Sequence, residues 1–536
     1  MNFKNILILS LFMFVTLGCN DDEFFELTNP PEDPWLDVEQ FERAAIGAYN
    51  NTFTNSAWNN LLGGTRLLKV TQSDLVRLLP GTSANIPFNE MYERMSDLEI
   101  DKTRNAFVNA YKVIAGANAA LGFIEENNGN PFPELSEADV QNQVRRIEGE
   151  LKFLRAYSYY MLATIFLPPY KEGDNGSNYL IPFRTRFIPT FEGAKTPELA
   201  NSQQIYEQIV SDFMSAKQLL PEKFEAGVHH PSYEFGRANR FAAAAMLGQV
   251  YFAMGKDQEA STELNYVIDQ NGGEYDLSED PIEAFNRSDG SRGKEVIWYA
   301  LYYDPLKNVS PKELTSITLQ RYDNSNGGNT WPDGFKRVSW NQFAFSYSIL
   351  DQINWMEDPL NGDYDITAEA IQDKRYQQLY RKLEPYNPAD NADPSAYETY
   401  HAQVDKPNVW CDKYYRGAIS GDVTNVPVIR LAELYLTRSL IRFRTGDNNG
   451  ATADLNMVRN RAGIGDLPGA ITAQDIHNER IKELAFEGDR TDYLRAAKLD
   501  IPPGDRNTAA LPFDTEKLIW VIPQSEIDLN QSYLDE

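Results

Sequence analysis

Between Leu319 and Phe345 the chain reads LQRYDNSNGGNTWPDGFKRVSWNQFAF. Four large rings, Tyr322, Trp331, Phe335 and Trp340, crowd into this stretch, and Gly327-Gly328 and Pro332-Asp333-Gly334 interrupt it. Such a backbone is poor at hiding four rings in a regular core, so some are expected to face outward. An outward ring can stack on the apolar C–H face of a sugar, while Arg321, Asp323 and Asn324 bond the hydroxyls at its edge. Asn89 and Tyr92, from an N-terminal loop, are expected to form the facing side. Trp331 ranks first among these candidates. Trp340, close to the alternating Phe343 and Phe345, is the ring expected to turn inward.

Bond-breaking chemistry has no comparable signature. The chain carries no G-x-S-x-G, P-loop, dinucleotide fingerprint or cysteine-histidine metal spacing. His229, His230, His401 and His477 are scattered apart from the one adjacent pair, which reads as a solvated loop. A glycosidase needs two carboxyl groups roughly 5–10 Å apart, and no motif singles out such a pair among the 78 acidic residues. Glu479, Glu483 and Glu487, with Arg480 and Arg490, read as charges on a helix packed under a loop and paired with one another. Asp323 to Gly327 begins like a calcium loop, but its third and twelfth positions do not fit. No catalytic residue, metal or cofactor is therefore expected.

A formal net charge of −28 over 536 residues disfavours nucleic acid and anionic membrane as partners. Lys4 precedes an apolar run, Ile6 to Val15, which suits a signal peptide and is too short to span a bilayer. The run ends at Leu17-Gly18-Cys19, which resembles a bacterial lipobox despite Thr16 in place of an aliphatic residue. Cys19 is thus the expected lipidation site and the whole membrane anchor, followed by the acidic Asn20-Asp21-Asp22-Glu23. Cys411 is then the remaining thiol, so the mature chain has no intrachain disulfide.

The elements that must carry these residues are helical. From Val144 to Leu167, apolar residues at alternating steps of three and four form one helix face. Gly149, Ala156 and Ala163 mark a close-contact seam, Glu148 and Lys152 stand one turn apart, and Pro168-Pro169 ends the helix. Helices are also expected at Val38–Thr54 and Phe107–Glu126, with loop and short helices from Leu61 to Asn105. Leu247, Gly248, Tyr251, Gly255, Ala260, Leu264 and Val267 match the tetratricopeptide pattern. Its offsets return at Gly446, Ala451, Leu455 and Val458, and partly at Phe213, Ala216 and Pro221. Five of the eight tryptophans, Trp298, Trp331, Trp340, Trp355 and Trp410, lie in a Gly-, Pro- and Asn-rich stretch. The expected fold is mainly α, a tetratricopeptide-like helix-pair superhelix with an irregular, loop-rich inserted subdomain containing short strands such as Glu295–Tyr303. The expected organisation is 1–18 signal peptide, 19–37 tether, 38–270 helical, 271–425 insertion and 426–536 helical and closing segment.

Glu150, Phe153, Leu154, Arg155, Ala156 and Tyr159 read as E-x-x-F-L-R-A-x-x-Y, which resembles the signature helix of the SusD/RagB family. Similar matches occur at YKVIAGANAAL, VIRLAELYL, Val458 to Gly463, ERIKELAFEGDRTDYLR and the closing VIPQSEIDLN, with Tyr493 in place of a usual leucine. The resemblance runs from the lipid site to the C-terminus. It implies a non-catalytic surface lipoprotein of the outer membrane that captures an oligosaccharide for a SusC-like TonB-dependent barrel. Peptides, as in RagB-type members, are the alternative ligand, and a surface glycoside hydrolase is a third reading.

Overall fold

A computed structural model describes residues 35–53, 61–79, 87–174, 178–188, 190, 193, 195–285, 292–301, 320–321, 338–339, 343–383, 406–414 and 425–533. The scaffold comprises α1 (Val38–Phe53), α2 (Gly63–Gln72), α3 (Phe88–Tyr92), α4 (Asp101–Glu126), α5 (Arg146–Phe166), α6 (Ser202–Leu219) and α7 (Arg240–Ala253). It continues with α8 (Asp257–Asp269), α9 (Lys374–Leu379), α10 (Leu431–Arg444), α11 (Asn448–Arg461), α12 (Ala473–Leu484), α13 (Arg490–Ala496) and α14 (Gln524–Leu529). Neighbours in the chain stack on each other: α4 on α5, α5 on α6, α6 on α7, α7 on α8, and α10 on α11. Contact of α8 with α10 joins the two runs, and α1 lies against α4 and α5. This is the helix-pair superhelix that the repeats predict.

The helix at the centre is α5. Of its 21 residues, 17 are buried, because helices press on it from several sides. The small-residue seam has a direct cause: a methyl at Gly149 would meet Leu219 Cβ and Leu220 Cγ, at the end of α6, at 3.0 Å. Gly248 in α7 is equally constrained, since a Cβ there would lie 2.9 Å from Leu264 of α8. Between helices of a pair the chain turns through left-handed glycines, Gly255 at φ +72° and Gly446 at φ +86°. Glu148 and Lys152 form their pair at 2.9 Å. The N-termini of α6, α7, α9, α11 and α12 are capped by side chains, with reciprocal capping boxes at Asn201/Gln204 and Thr472/Asp475.

The α2 segment falls in the stretch expected as loop with short helices, and it is helical with all ten residues buried. One helix differs from expectation in its start. Helix α4 begins at Asp101, six residues before Phe107. It is long and apolar enough to cross a membrane, but its buried residues face α1 and α5, so it is a core helix.

The described strands are β1 (Val76–Leu78), β2 (Ile181–Phe183), β3 (Glu198–Ala200), β4 (Val296–Ala300), β5 (Gln320–Arg321) and β6 (Val338–Ser339). The remainder are β7 (Phe343–Phe345), β8 (Met356–Asp358), β9 (Asp363–Ile366), β10 (Tyr380–Leu383), β11 (Asn408–Cys411) and β12 (Val426–Arg430). They pair antiparallel two by two: β1–β7, β2–β3, β4–β12, β5–β6, β8–β9 and β10–β11. The β4–β12 pair presses the start of the insertion into the helical core. Trp298 is fully buried there against Phe153, Tyr157 and Phe53, with ring centroids 4.7, 5.0 and 5.2 Å away. Its indole N–H donates to the Gly236 carbonyl at 3.2 Å. Trp355 and Trp410 are buried as well. One continuous apolar core runs from Phe41 to Trp520 through all three expected segments. Cys411 lies in it, and burial pushes its thiol up to about 12, which makes it a poor nucleophile.

Candidate functional site

The described end of the aromatic stretch is strand β7. This strand pairs with β1 so that Phe343 faces Leu78. Strands β10 and β11 pair with Leu383 opposite Asn408. Arg77 of β1 joins the two pairs, its Nε donating to the Asn408 side-chain carbonyl at 3.0 Å. Its guanidinium lies 4.3 Å over the Tyr347 ring, and Leu79, Ala344 and Trp410 close the junction as a small apolar cluster. Strands β5 and β6 pair antiparallel, with Arg321 opposite Val338. Ser339 can be no more than about 14 Å from Phe343, four residues on.

The expected site residues are distributed as follows. Tyr322, Asp323, Asn324, Trp331, Phe335 and Trp340 lie outside the described residues, as does Cys19. Arg321 is placed by its backbone in β5. Asn89 is exposed on α3, and the preceding Phe88 meets Phe343 of β7 edge-on at 5.2 Å, so the helix sits against the root of the aromatic stretch. Tyr92 does not stand free as expected. It is 8% exposed, and the Arg506 guanidinium covers its ring at 3.8 Å. Arg77, Tyr347 and Asn408 escaped the sequence reading, because only strand register brings together residues 331 positions apart.

The C-terminal carboxylates are structural, with partners other than those expected. Glu483 is met by Arg430 at 2.8 Å, Arg461 at 2.5 Å and Arg375 at 3.4 Å. Glu487 takes Arg430 at 2.8 Å and Lys413 at 2.7 Å, and Glu479 takes Arg375 at 2.6 Å. Arg480 and Arg490 turn to Asp489 and Asp74, at 2.6 and 2.7 Å. All the helix-borne charges thus pair across elements, not with one another. The histidine pair is also built in. His229 is 8% exposed and its Nδ1 accepts the Glu225 N–H at 3.0 Å, while His230 Nε2 lies 3.1 Å from Glu39.

An internal cavity of about 110 Å³ lies between α2, α5, α7, α10 and α13, with Lys69, Tyr160, Glu433, Arg480, Asp489 and Asp492 on its walls. Burial, reinforced by Asp489, pushes the Glu433 carboxyl up to about 7. A raised carboxyl in a polar cavity is the usual mark of acid–base chemistry. This one is far smaller than the roughly 300–1,000 Å³ of ordinary ligand pockets and suits water alone. No group of three or more metal-binding side chains occurs among the described residues.

A scaffold of stacked helix pairs, with the ionisable groups named above tied into structural pairs, defines a class of helical-repeat protein. The chain belongs to the SusD family, whose model matches residues 247–534. Residues 64–252 match a related model described as starch-binding and associating with the outer membrane. The chain is 25% identical to the SusD-like protein P2 of Formosa agariphila, over 99% of this chain and 96% of that one. Among solved structures, a SusD superfamily protein from Bacteroides thetaiotaomicron shares the fold at TM-score 0.69 and 21% identity, covering 93% of this chain and 99% of its own. A laminarin-binding SusD-like protein aligns at TM-score 0.66 and 20% identity, covering 92% and 98%.

Proposed function

We propose that this protein is a cell-surface lipoprotein that captures an oligosaccharide and passes it, chemically unchanged, to a SusC-like TonB-dependent outer-membrane transporter. The observation that carries the reading is the junction of the β1–β7 and β10–β11 pairs through Arg77 and Asn408, on which the aromatic-rich sequence ends at Phe343–Phe345. The family match and the laminarin-binding relative favour a glycan as the ligand. Stacking on Trp331 and Tyr322 would supply apolar contact, and Arg321, Asp323, Asn324 and Asn89 the polar rim. The acidic surface favours neutral glycans over polyanions. Capture and release need no activated nucleophile, in keeping with carboxylates that are tied to arginines.

The experiment is incubation of the purified protein with a panel of neutral oligosaccharides and peptides, reading binding and products together. The expected result is binding of one glycan class with no cleavage; turnover of any panel member would contradict the reading. Anchoring is tested separately. Cys19→Ser is expected to move the protein from the membrane to the soluble fraction, because one residue carries the whole anchor. Retention of the variant in membranes of cells lacking the transporter would refute the lipid anchor.

A further inference from the structure

A second concavity uses no residue of the aromatic stretch. The closing segment of the chain runs past the turn before α4 and past residues 178–180, leaving a groove of about 680 Å³. That volume falls within the range of real ligand pockets, unlike the internal cavity. Its walls are held by main-chain bonds: Trp520 N–H donates to the Ile165 carbonyl at 2.9 Å and Val521 N–H to Ser96 at 3.1 Å. Gln524 N–H donates to the Glu99 carboxylate at 2.8 Å, and the Tyr533 hydroxyl to the Leu180 carbonyl at 3.1 Å. The groove is thus formed before anything enters it.

Its lining has two characters. Ile519, Ile522 and Ile527, with Leu180 and Tyr179, supply an apolar floor and side. Asp97, Glu99 and Glu516 supply carboxylates, and no lysine, arginine or histidine among the described residues lines it. Asp97 and Glu516 are both exposed, Glu516 also accepting from the Tyr179 hydroxyl, while Glu99 is engaged by Arg104 at 3.1 Å. Met95 and Leu98, 38% and 42% exposed, flank Ser96 and Asp97, and Leu529, 65% exposed, follows Ile527. Apolar groups of this size are left in water on the two segments that wall the groove.

We infer that this groove is a docking site for a basic amphipathic peptide segment, whose Lys or Arg stems lie on the isoleucine floor and whose cations meet Asp97 and Glu516. Long basic side chains suit such a lining because an alkyl stem can be buried while its charged head stays at a polar edge. Sugars fit it less well: Trp520, at 2% exposed, presents no free ring face, and the Tyr533 and Tyr179 hydroxyls are already bonded to the Leu180 carbonyl and Glu516. Anionic ligands are repelled by all three carboxylates. The inference is independent of the glycan site, since it uses no residue of the aromatic stretch.

The test is calorimetry on the full chain in detergent with the acetylated hexapeptide LKLRLK. Parallel titrations use LELELE and a hexamer of glucosamine. Binding of LKLRLK is expected, weakened about tenfold or more by the double variant Asp97→Asn, Glu516→Gln. It should also weaken as salt rises from about 0.05 M to about 0.5 M. Both substituted carboxylates are exposed, so the fold is retained, which an unchanged melting curve verifies. Trp331→Ala is expected to leave peptide binding untouched. Absence of LKLRLK binding, equal binding by the double variant, equal binding of LELELE, or binding of the glucosamine hexamer in its place would each overturn the assignment.

Discussion

Arg430→Ala is expected to destabilise the protein by roughly 3–5 kcal/mol, the usual cost of removing one partner from a buried charge network. Arg430 is 2% exposed at the end of β12 and serves Glu295, Glu483 and Glu487 at 2.5, 2.8 and 2.8 Å. Alanine removes the one cation that these three buried carboxylates share and leaves them to Arg461, Arg375 and Lys413. Arg430→Lys should recover only part of the loss, because a single ammonium cannot reach three carboxylates with a fork geometry. The effect also depends on pH. Burial alone would raise Glu483 and Glu487, but Arg461, Arg430 and Arg375 around the first, and Arg430 and Lys413 around the second, hold both below the usual carboxylate range. A depressed folded pKa contributes stability above the unfolded value, about 4.3 for glutamate, and loses it as pH falls. The gap between wild type and variant should therefore narrow below about pH 4. Urea unfolding at pH 7 and pH 3.5 measures both; a loss under about 1 kcal/mol at pH 7 would deny the network its structural role.

Trp298→Ala should be of similar size, about 3–5 kcal/mol, for a fully buried indole whose cavity cannot close. Three aromatic rings touch it edge-on or tilted, and Gly236 would keep a buried carbonyl without its donor. Trp298→Phe should restore most of the stability, since it refills most of the volume but not the hydrogen bond. Residue 298 sits opposite Ile429 in the one strand pair that ties the insertion to α10. Loss of the indole should thus loosen the insertion against the helices as well as lower the unfolding midpoint. A midpoint unchanged by Trp298→Ala would mean that β4 does not carry the junction.

These two residues also mark how far the chain could be read. Helix α5 was legible because its apolar residues keep a helical period and proline ends it. The repeat pairs were legible because Gly248, Ala260 and Ala451 sit where helices touch. The bounds of α2 were not, since Gly63-Gly64 at its start also reads as a turn. The burial of Trp355 and Trp410 follows from contacts with residues distant in the chain, Tyr380 for the first and Leu79 for the second. The partners of Glu483 lie 22, 53 and 108 residues away, so helix spacing pointed to the wrong neighbours. At the site, the contact of Phe88 with Phe343 and the cover of Arg506 over Tyr92 join residues far apart in the chain, which sequence spacing does not show. Arg77 and Asn408 carried no local mark at all.

The central claim is capture of a glycan by an aromatic loop without chemistry, and titration calorimetry of the wild type against Trp331→Ala tests it most directly. Stacking on one ring contributes about 0.5–1.5 kcal/mol beyond its buried area. With a neutral oligosaccharide that the wild type binds, Trp331→Ala should weaken affinity several-fold or more and leave the melting curve unchanged, and the recovered sugar should be intact. Equal affinity in Trp331→Ala and in Tyr322→Ala, or a shortened sugar recovered from the cell, would contradict the account.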